Sequence, residues 1–491
     1  MFSLNKDIQL FKIAGLFLGP VFFLLVVFGS DDTMLAPGAW KVLGMAAWMV
    51  TWWVSEAVPI PVTALLPLIM FPVLGVFDIR ESTAPYASPI IFLFMGGFFI
   101  ALGLEKHGLH KRIALNMIRI TGTHANGIIL GFMIATAFLS MWISNTATTV
   151  MMLPIAMSVI NLMVESDSVQ LDDHNPRSFQ LFSLGLLLSI AYSANIGGTA
   201  TIIGTPPNIV LVGYLKEIID YDMEFSKWML VGIPVSFTML MFTYLLITKV
   251  LFPNRLGVIK GSGEVLRKQL LDLGKMSMEE RLVAFVFTMT ALGWIFKNYI
   301  NLLLGGEYLN DTVTAMSGGV LMFLIPVNLK KGIFLMKWED TRRMPWGILI
   351  LFGGGLCLAK GMETTGLIQL IGDAISGSAH LQIWFIITIL ITIMLFMTEL
   401  MSNVALTTIF IPVVIGIATG FGLDPVLVTI PVTMAASCAF MMPISTPPNA
   451  IVFASGKIRI KEMMKAGFIL NLVSIVVLVI ATYSIIEWVF G

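Results

Sequence analysis

The sequence predicts an all-α polytopic membrane protein of 11 transmembrane spans and two re-entrant hairpins, built as an inverted repeat. Three observations carry that prediction. Of the 491 residues, 57% are hydrophobic and 12% charged, about half the roughly 25% charge content of a soluble domain. Apolar runs close to the ~20 residues that cross a bilayer recur along the whole chain. Blocks of sequence also recur in order, with opposite flanking charge. The composition excludes a cytosolic enzyme, a nucleic-acid binder and a disordered scaffold. The 29 basic and 29 acidic residues cancel, so no basic surface invites a nucleic-acid partner. Cys357 and Cys438 lie in apolar stretches and read as small packing residues.

In chain order, the expected crossings fall near 10–29, 39–55, 57–76, 87–105, 177–218 (interrupted), 228–252, 282–300, 312–328, 344–361, 425–455 (interrupted) and 465–489. The first has no small-residue cleavage site after it and reads as a span rather than a removed signal. Two further apolar stretches, 124–164 and 380–420, are each split by a polar triplet and read as hairpins. With a cytoplasmic N-terminus, 23 of the 29 Lys and Arg fall inside. Only Lys41, Arg80, Lys216, Lys227, Lys297 and Lys360 fall outside. The outer loops instead carry acids, among them Asp31, Asp32, Asp220, Asp222 and Asp311. This is a strong positive-inside pattern. Two full crossings per hairpin preserve the same parity, so charge alone leaves that alternative open.

The repeat is explicit. A shift of 258 residues lays Gly96-Gly97 on Gly354-Gly355, Gly108-Leu109 on Gly366-Leu367, and Ser144-Asn145-Thr146-Ala147 on Ser402-Asn403-Val404-Ala405. Ser140 falls on Thr398, Thr149 on Thr407, and Pro154 on Pro412. Thr205-Pro206-Pro207-Asn208 and Thr446-Pro447-Pro448-Asn449 coincide at a shift of 241. Each block holds five crossings and a hairpin, and an odd number inverts the second copy. The charges agree. Lys106, Lys111, Arg112 and Arg119 flank the first Gly-Gly block, whereas the equivalent stretch, about 363–380, holds Glu363 and Asp373 and no Lys or Arg. Inverted repeats mark transporters, with the site near the midplane at the repeat interface.

Irregular backbone at membrane depth must line a cavity or be buried in protein. Ser and Asn are good N-caps for a helix restarting after a tip. That helix start attracts anions without a cationic side chain. Carbonyls ending the first arm, with Ser144 and Asn145 oxygens, suit a hard cation such as Na⁺. Ser140 and Thr398 lie one turn earlier on the same face. The Thr-Pro-Pro-Asn strings break a crossing helix, because proline removes a donor and clashes. Gly197-Gly198-Thr199 and Ser437 to Pro443 offer further backbone oxygens. Thr148, Thr149, Thr407 and Thr408 read as helix-packing hydroxyls, and the Gly-Gly blocks as points of close helix contact. His107, His110 and His124 read as surface histidines. Glu399 divides evenly between a functional intramembrane carboxylate and a water-facing or locally paired group. No Walker motif, nucleophile elbow or zinc helix occurs, which leaves ATP-driven pumping and enzymatic hydrolysis unsupported.

These strings resemble the divalent anion:sodium symporter family, the sodium-coupled dicarboxylate carriers, over nearly the whole chain. The resemblance implies an elevator-type homodimer in which a scaffold carries a moving transport domain. It divides the chain into scaffold 1–120, transport 121–227, a region 228–378 whose first span joins the transport side and whose later spans join the scaffold, and transport 379–491. It implies that Ser144, Asn145 and Thr146 contact one substrate carboxylate and Ser402 and Asn403 the other, with Val404, Thr199 and Pro443 on the substrate side. Ser140, Ser144, Asn145 and Gly198 would hold one Na⁺. Thr398, Met401 through its backbone, and Asn403 would hold a second. Val404 stands where the symmetric pattern has Thr, which removes one hydroxyl. The expected activity is symport of a C4-dicarboxylate (succinate, malate or fumarate) with two or more Na⁺ across a bacterial inner membrane or plasma membrane. The rival is a sodium-independent dicarboxylate, citrate or tartrate antiporter of the same fold.

Overall fold

The structure, a computed structural model, describes residues 2–29, 37–165, 176–259, 261–376 and 382–491. Asp31, Asp32 and the end of the 363–380 stretch lie outside the described residues. The chain begins with α1 (Phe2–Phe28), α2 (Pro37–Ser55), the short α3 (Ile60–Thr63), α4 (Leu66–Leu74) and α5 (Ile79–Thr83), and α6 (Pro89–Lys106). Next come α7 (Leu109–Ile120), α8 (Ala125–Ser140), α9 (Asn145–Glu165), α10 (Pro176–Gly198), α11 (Pro206–Ile219) and α12 (Phe225–Leu245). After α13 (Ser262–Asp272), the second copy opens with α14 (Met278–Ile295), α15 (Lys297–Leu304) and α16 (Asp311–Leu324). It then runs through α17 (Trp346–Thr364), α18 (Leu367–Ser376), α19 (Ile383–Met397), α20 (Asn403–Gly420), α21 (Pro425–Ala436) and α22 (Pro447–Phe453). The chain closes with α23 (Ile460–Ala481) and α24 (Glu487–Phe490).

Among the described residues, eight helices are long and apolar enough to cross a membrane, or nine if α14 and α15 count as one bent span. The stretches read as spans at 57–76 and 425–455 are divided into shorter helices. The expected 282–300 span ends instead at Ile295, and the chain turns by 78° into α15. The physical reason is polar: Lys297 reaches back to Asp311 at 2.9 Å, which holds the new helix against the start of α16. Among the described residues the structure also departs from an all-helical fold at two small points, one of them an isolated antiparallel bridge between His124 and Val258. Pro326–Asn328 (β1) and Ile333–Phe334 (β2) form an antiparallel pair.

The two copies match element for element, from α6/α17 to α11/α22. Gly108 and Gly366, the duplicated glycines, both have φ +73°. Each turns the chain from a long helix into the next, in a region that favours glycine. The Gly-Gly blocks allow backbone contact, as expected. A Cβ on Gly96 would lie 2.5 Å from the Ala315 carbonyl of α16, and one on Gly354 would strike the Ala64 carbonyl after α3. Phe11, Phe17, Leu25, Phe237, Met241 and Ile480 project outward, the pattern of helices facing hydrocarbon rather than water. The interior belongs to α10 and α21. Every residue from Phe182 to Thr201 is buried, and α10 packs against α8, α9, α12 and α22.

His110 corrects one expectation. It is 7% exposed, because α7 turns an apolar face inward, and its ring contacts the Leu104 carbonyl at 2.9 Å. Burial lowers its pKa from the ordinary histidine value, against that hydrogen bond, which raises it.

Candidate functional site

Both polar triplets form hairpin tips. In the first, α8 ends at Ser140 and α9 restarts at Asn145. In the second, α19 ends at Met397 and α20 restarts at Asn403. The serine of each tip caps the restarting helix. Ser144 Oγ accepts from Ala147 N–H at 3.2 Å and Ser402 Oγ from Ala405 N–H at 3.5 Å. One turn on, Thr149 donates to the Asn145 carbonyl at 2.8 Å and Thr407 to the Asn403 carbonyl at 2.6 Å. These hydroxyls serve the helix, as read from the sequence.

Behind each tip lies a cluster of three oxygens. Ser140 Oγ is 2.5 Å from Asn145 Oδ1 and 2.7 Å from the Ala194 carbonyl of α10. Thr398 Oγ1 is 2.7 Å from Asn403 Oδ1 and 2.8 Å from the Ala436 carbonyl of α21. Ser140 and Thr398 are fully buried. A hydroxyl carries one proton, and amide and backbone oxygens only accept. Each cluster therefore has more lone pairs than protons. Such an all-oxygen set fits a hard, desolvated cation. Among the described residues, no group of three or more His, Cys, Asp or Glu gathers as a metal site, and no ion pair lies at either tip.

Gly198 joins the first cluster by close packing: a Cβ there would lie 2.6 Å from Asn145 Oδ1. Ser144 and Thr146 are exposed at the tip. Ser144 lines a small cleft with Phe94, Gly97, Phe98, Trp142 and Ile203. In the second tip Met401, Ser402, Asn403 and Val404 are half-buried, and Val404 packs against the core. Pro443 is buried within the second helix break. Thr199 is tied to α12. Its hydroxyl lies 2.7 Å from the Ile196 carbonyl and 2.8 Å from Ser236 Oγ of α12, and its carbonyl accepts from Trp228 Nε1 at 3.0 Å.

The helix breaks differ from the reading in one respect. The prolines do not interrupt a helix. Pro206 and Pro447 open α11 and α22, where a missing N–H costs nothing. The interruption comes earlier, after Gly198 and after Ala436, and the asparagines hold it open. Asn208 Nδ2 donates to the Gly198 and Thr201 carbonyls at 3.2 and 2.8 Å. Asn449 Nδ2 donates to the Ala439 and Met442 carbonyls at 3.0 and 3.1 Å. The repeated string marks these asparagines, although its spacing alone assigns a role only to the prolines. Among the described residues, neither amide oxygen, Asn208 Oδ1 nor Asn449 Oδ1, has a hydrogen-bond partner although both are buried acceptors, an arrangement consistent with nearby positive charge. Asn208→Ala and Asn449→Ala should each remove two buried hydrogen bonds to carbonyls of the break, a loss of about 1–3 kcal/mol. The expected result is a lower thermal unfolding midpoint in detergent for both variants, by similar amounts.

The family described as the sodium:sulfate symporter transmembrane region matches residues 11–490. The chain belongs to this family. Sodium:sulfate symporter family relatives include the sodium-dependent dicarboxylate transporter SdcS of Staphylococcus saprophyticus, 40% identical over 99% of this chain and 94% of the relative. SdcS of Staphylococcus aureus is 38% identical with the same coverage. Among solved structures, the YdaH transporter of Alcanivorax borkumensis superposes with a TM-score of 0.56 at 13% identity, covering 87% of this chain and 89% of that one. MtrF of Neisseria gonorrhoeae gives 0.55 at 11% identity, over 84% and 83%. At those identities the likeness is one of fold: this is a multi-pass, helical integral membrane protein of a symporter family.

Proposed function

We propose that the protein is a secondary active transporter that imports a C4-dicarboxylate of the succinate, malate and fumarate class together with two or more Na⁺. The observation that carries this reading is the pair of three-oxygen clusters, one behind each tip, with no ion pair at either tip among the described residues. A dianion needs its charge offset. The N-termini of α9 and α20 supply partial positive charge, and bound Na⁺ supplies the rest. Ser144, Asn145 and Thr146 take one carboxylate, and Ser402, Asn403 and Val404 the other, with Thr199 and Pro443 flanking. Ser140, Ser144, Asn145 and Gly198 hold one Na⁺; Thr398, the Met401 backbone and Asn403 hold a second. The names of the relatives, sodium-dependent dicarboxylate transporters, support the same assignment.

The proposal includes an elevator movement in a homodimer of 11-span protomers embedded in lipid, with a cytoplasmic N-terminus. Residues 121–227 and 379–491, with the first span of 228–378, form the moving part. Residues 1–120 and the later spans of 228–378 form the scaffold.

Uptake of labelled succinate by the reconstituted full-length protein tests the function. An inward Na⁺ gradient should drive accumulation in vesicles that contain no dicarboxylate, and choline in place of Na⁺ should abolish it. Uptake that ignores Na⁺ and requires preloaded dicarboxylate would establish an exchanger instead.

A further inference from the structure

Glu399 lies two residues past the end of α19, at the second hairpin tip, and is 3% exposed. Its Oε1 accepts from the backbone N–H groups of Phe440 and Met441 at 2.7 and 2.9 Å, and from Asn471 Nδ2 of α23 at 2.9 Å. Its Oε2 accepts from Met442 N–H at 3.1 Å. Four donors converge on one side chain, and three of them are consecutive amides of the helix break. All four are uncharged, and no Lys or Arg forms an ion pair with Glu399 among the described residues. The neighbouring Thr398 contacts the Ala436 carbonyl at 2.8 Å, at the start of the same break. Two adjacent residues thus grip both ends of one unwound segment. The carbonyls of that segment are held from the other side, Ala439 by Asn195 and Asn449, and Met442 by Asn449.

The first copy ties its tip to its break by other means. There Met141 takes the place of Glu399, and its carbonyl accepts from Thr201 Oγ1 at 2.6 Å. The link is kept and the charge is not.

We infer that Glu399 is a positioning residue for the second cation cluster: its carboxylate fixes the unwound segment that presents the Ala436 carbonyl, and the cation bound by Thr398 and Asn403 is its counter-charge. The inference rests on the proposed Na⁺ coupling. A carboxylate is the side chain that fits, because both oxygens must accept. Glutamine has the same shape, yet either orientation sets its NH₂ against backbone N–H donors, at Met442 or at Phe440 and Met441. Buried charge without a partner is costly, so the two clusters differ. The second is balanced once Na⁺ binds. The first is balanced only when the dianion arrives. The second cluster therefore fills first.

The experiment compares wild type, E399Q, E399D and N471A as purified full-length protein, by binding of radiolabelled Na⁺ without substrate and by succinate uptake in proteoliposomes. In E399Q the half-saturating Na⁺ concentration should rise about tenfold or more, the effect of losing hydrogen bonds to a charged group. At saturating Na⁺ its half-saturating succinate concentration should stay within about twofold of wild type. N471A removes one donor of four and should raise half-saturating Na⁺ about threefold. E399D keeps both oxygens and should fall between wild type and E399Q. Unchanged Na⁺ half-saturation in E399Q, or a lower maximal rate alone, overturns the inference. If E399Q does not yield monodisperse protein, E399D and N471A decide, and unchanged Na⁺ half-saturation in both overturns it. Sodium-independent uptake by wild type would instead defeat the proposed coupling itself.

Discussion

Replacing Asn145 or Asn403 with Ala lowers sodium-driven uptake by about 10- to 100-fold while the protein remains folded. Each amide oxygen belongs to a buried three-oxygen cluster, and a lost bond to a charged group costs about 1.5–3 kcal/mol. Helix starts are spared, because Ser144 and Ser402 cap α9 and α20. The main-chain carbonyls that bond Thr149 and Thr407 also remain. Initial rates of labelled succinate uptake, with gel filtration to check folding, measure the effect. Thr149→Ala serves as the control, since among the described residues its hydroxyl bonds within its own helix, and should keep its rate within about twofold. Full uptake with intact sodium dependence in both asparagine variants would show that the site lies elsewhere.

Arg112→Ala should be the most destabilising single charge change. Arg112 Nε and Nη2 donate to the two carboxylate oxygens of Glu280 at 2.9 and 3.0 Å, and the guanidinium also reaches the Leu273 and Gly274 carbonyls at 3.2 and 3.0 Å. The pair is shielded, with side-chain exposures of 15% and 6%. Removing the arginine strands Glu280, whose other partner is its own helix cap at Ser277, and a stranded buried charge costs about 3–5 kcal/mol. Lysine should recover little, because it lacks the planar fork. The double variant R112A/E280Q should recover part of the loss, because the stranded charge is gone. Thermal unfolding in detergent measures all three. In the proposed division, Arg112 anchors α7, the helix linking scaffold to the first hairpin, against the scaffold helix α14. Equal midpoints for wild type and R112A would contradict the account of this pair.

Some of this was legible in the residues and some was not, for physical reasons. The hairpin tips could be read because Ser-Asn recurs at one spacing and its serines do the capping. The helix crossings at Gly96 and Gly354 could be read because close approach demands the absence of a Cβ. The carbonyls of Ala194 and Ala436 could not, since a backbone oxygen leaves no mark on residue type. The same holds for the partners of Glu399, which are three amides of apolar residues. Asn208 and Asn449 were visible as a repeated string, but their clamp depends on where the chain folds back. The turn at Phe296 was hidden inside an apolar run, and only the distant Asp311 explains it. The burial of His110 is not legible because its basic neighbours suggest a solvated helix, whereas α7 buries one face.

The central claim is that cations gathered behind the two tips make room for a dianion. Equilibrium binding to the purified, full-length protein tests it most directly. Succinate affinity is measured across a series of Na⁺ concentrations, and Na⁺ affinity across a series of succinate concentrations, each by titration calorimetry with choline holding ionic strength constant. The account predicts that each ligand tightens the other by the same factor, as linkage requires. Succinate binding of equal strength with and without Na⁺ would contradict it.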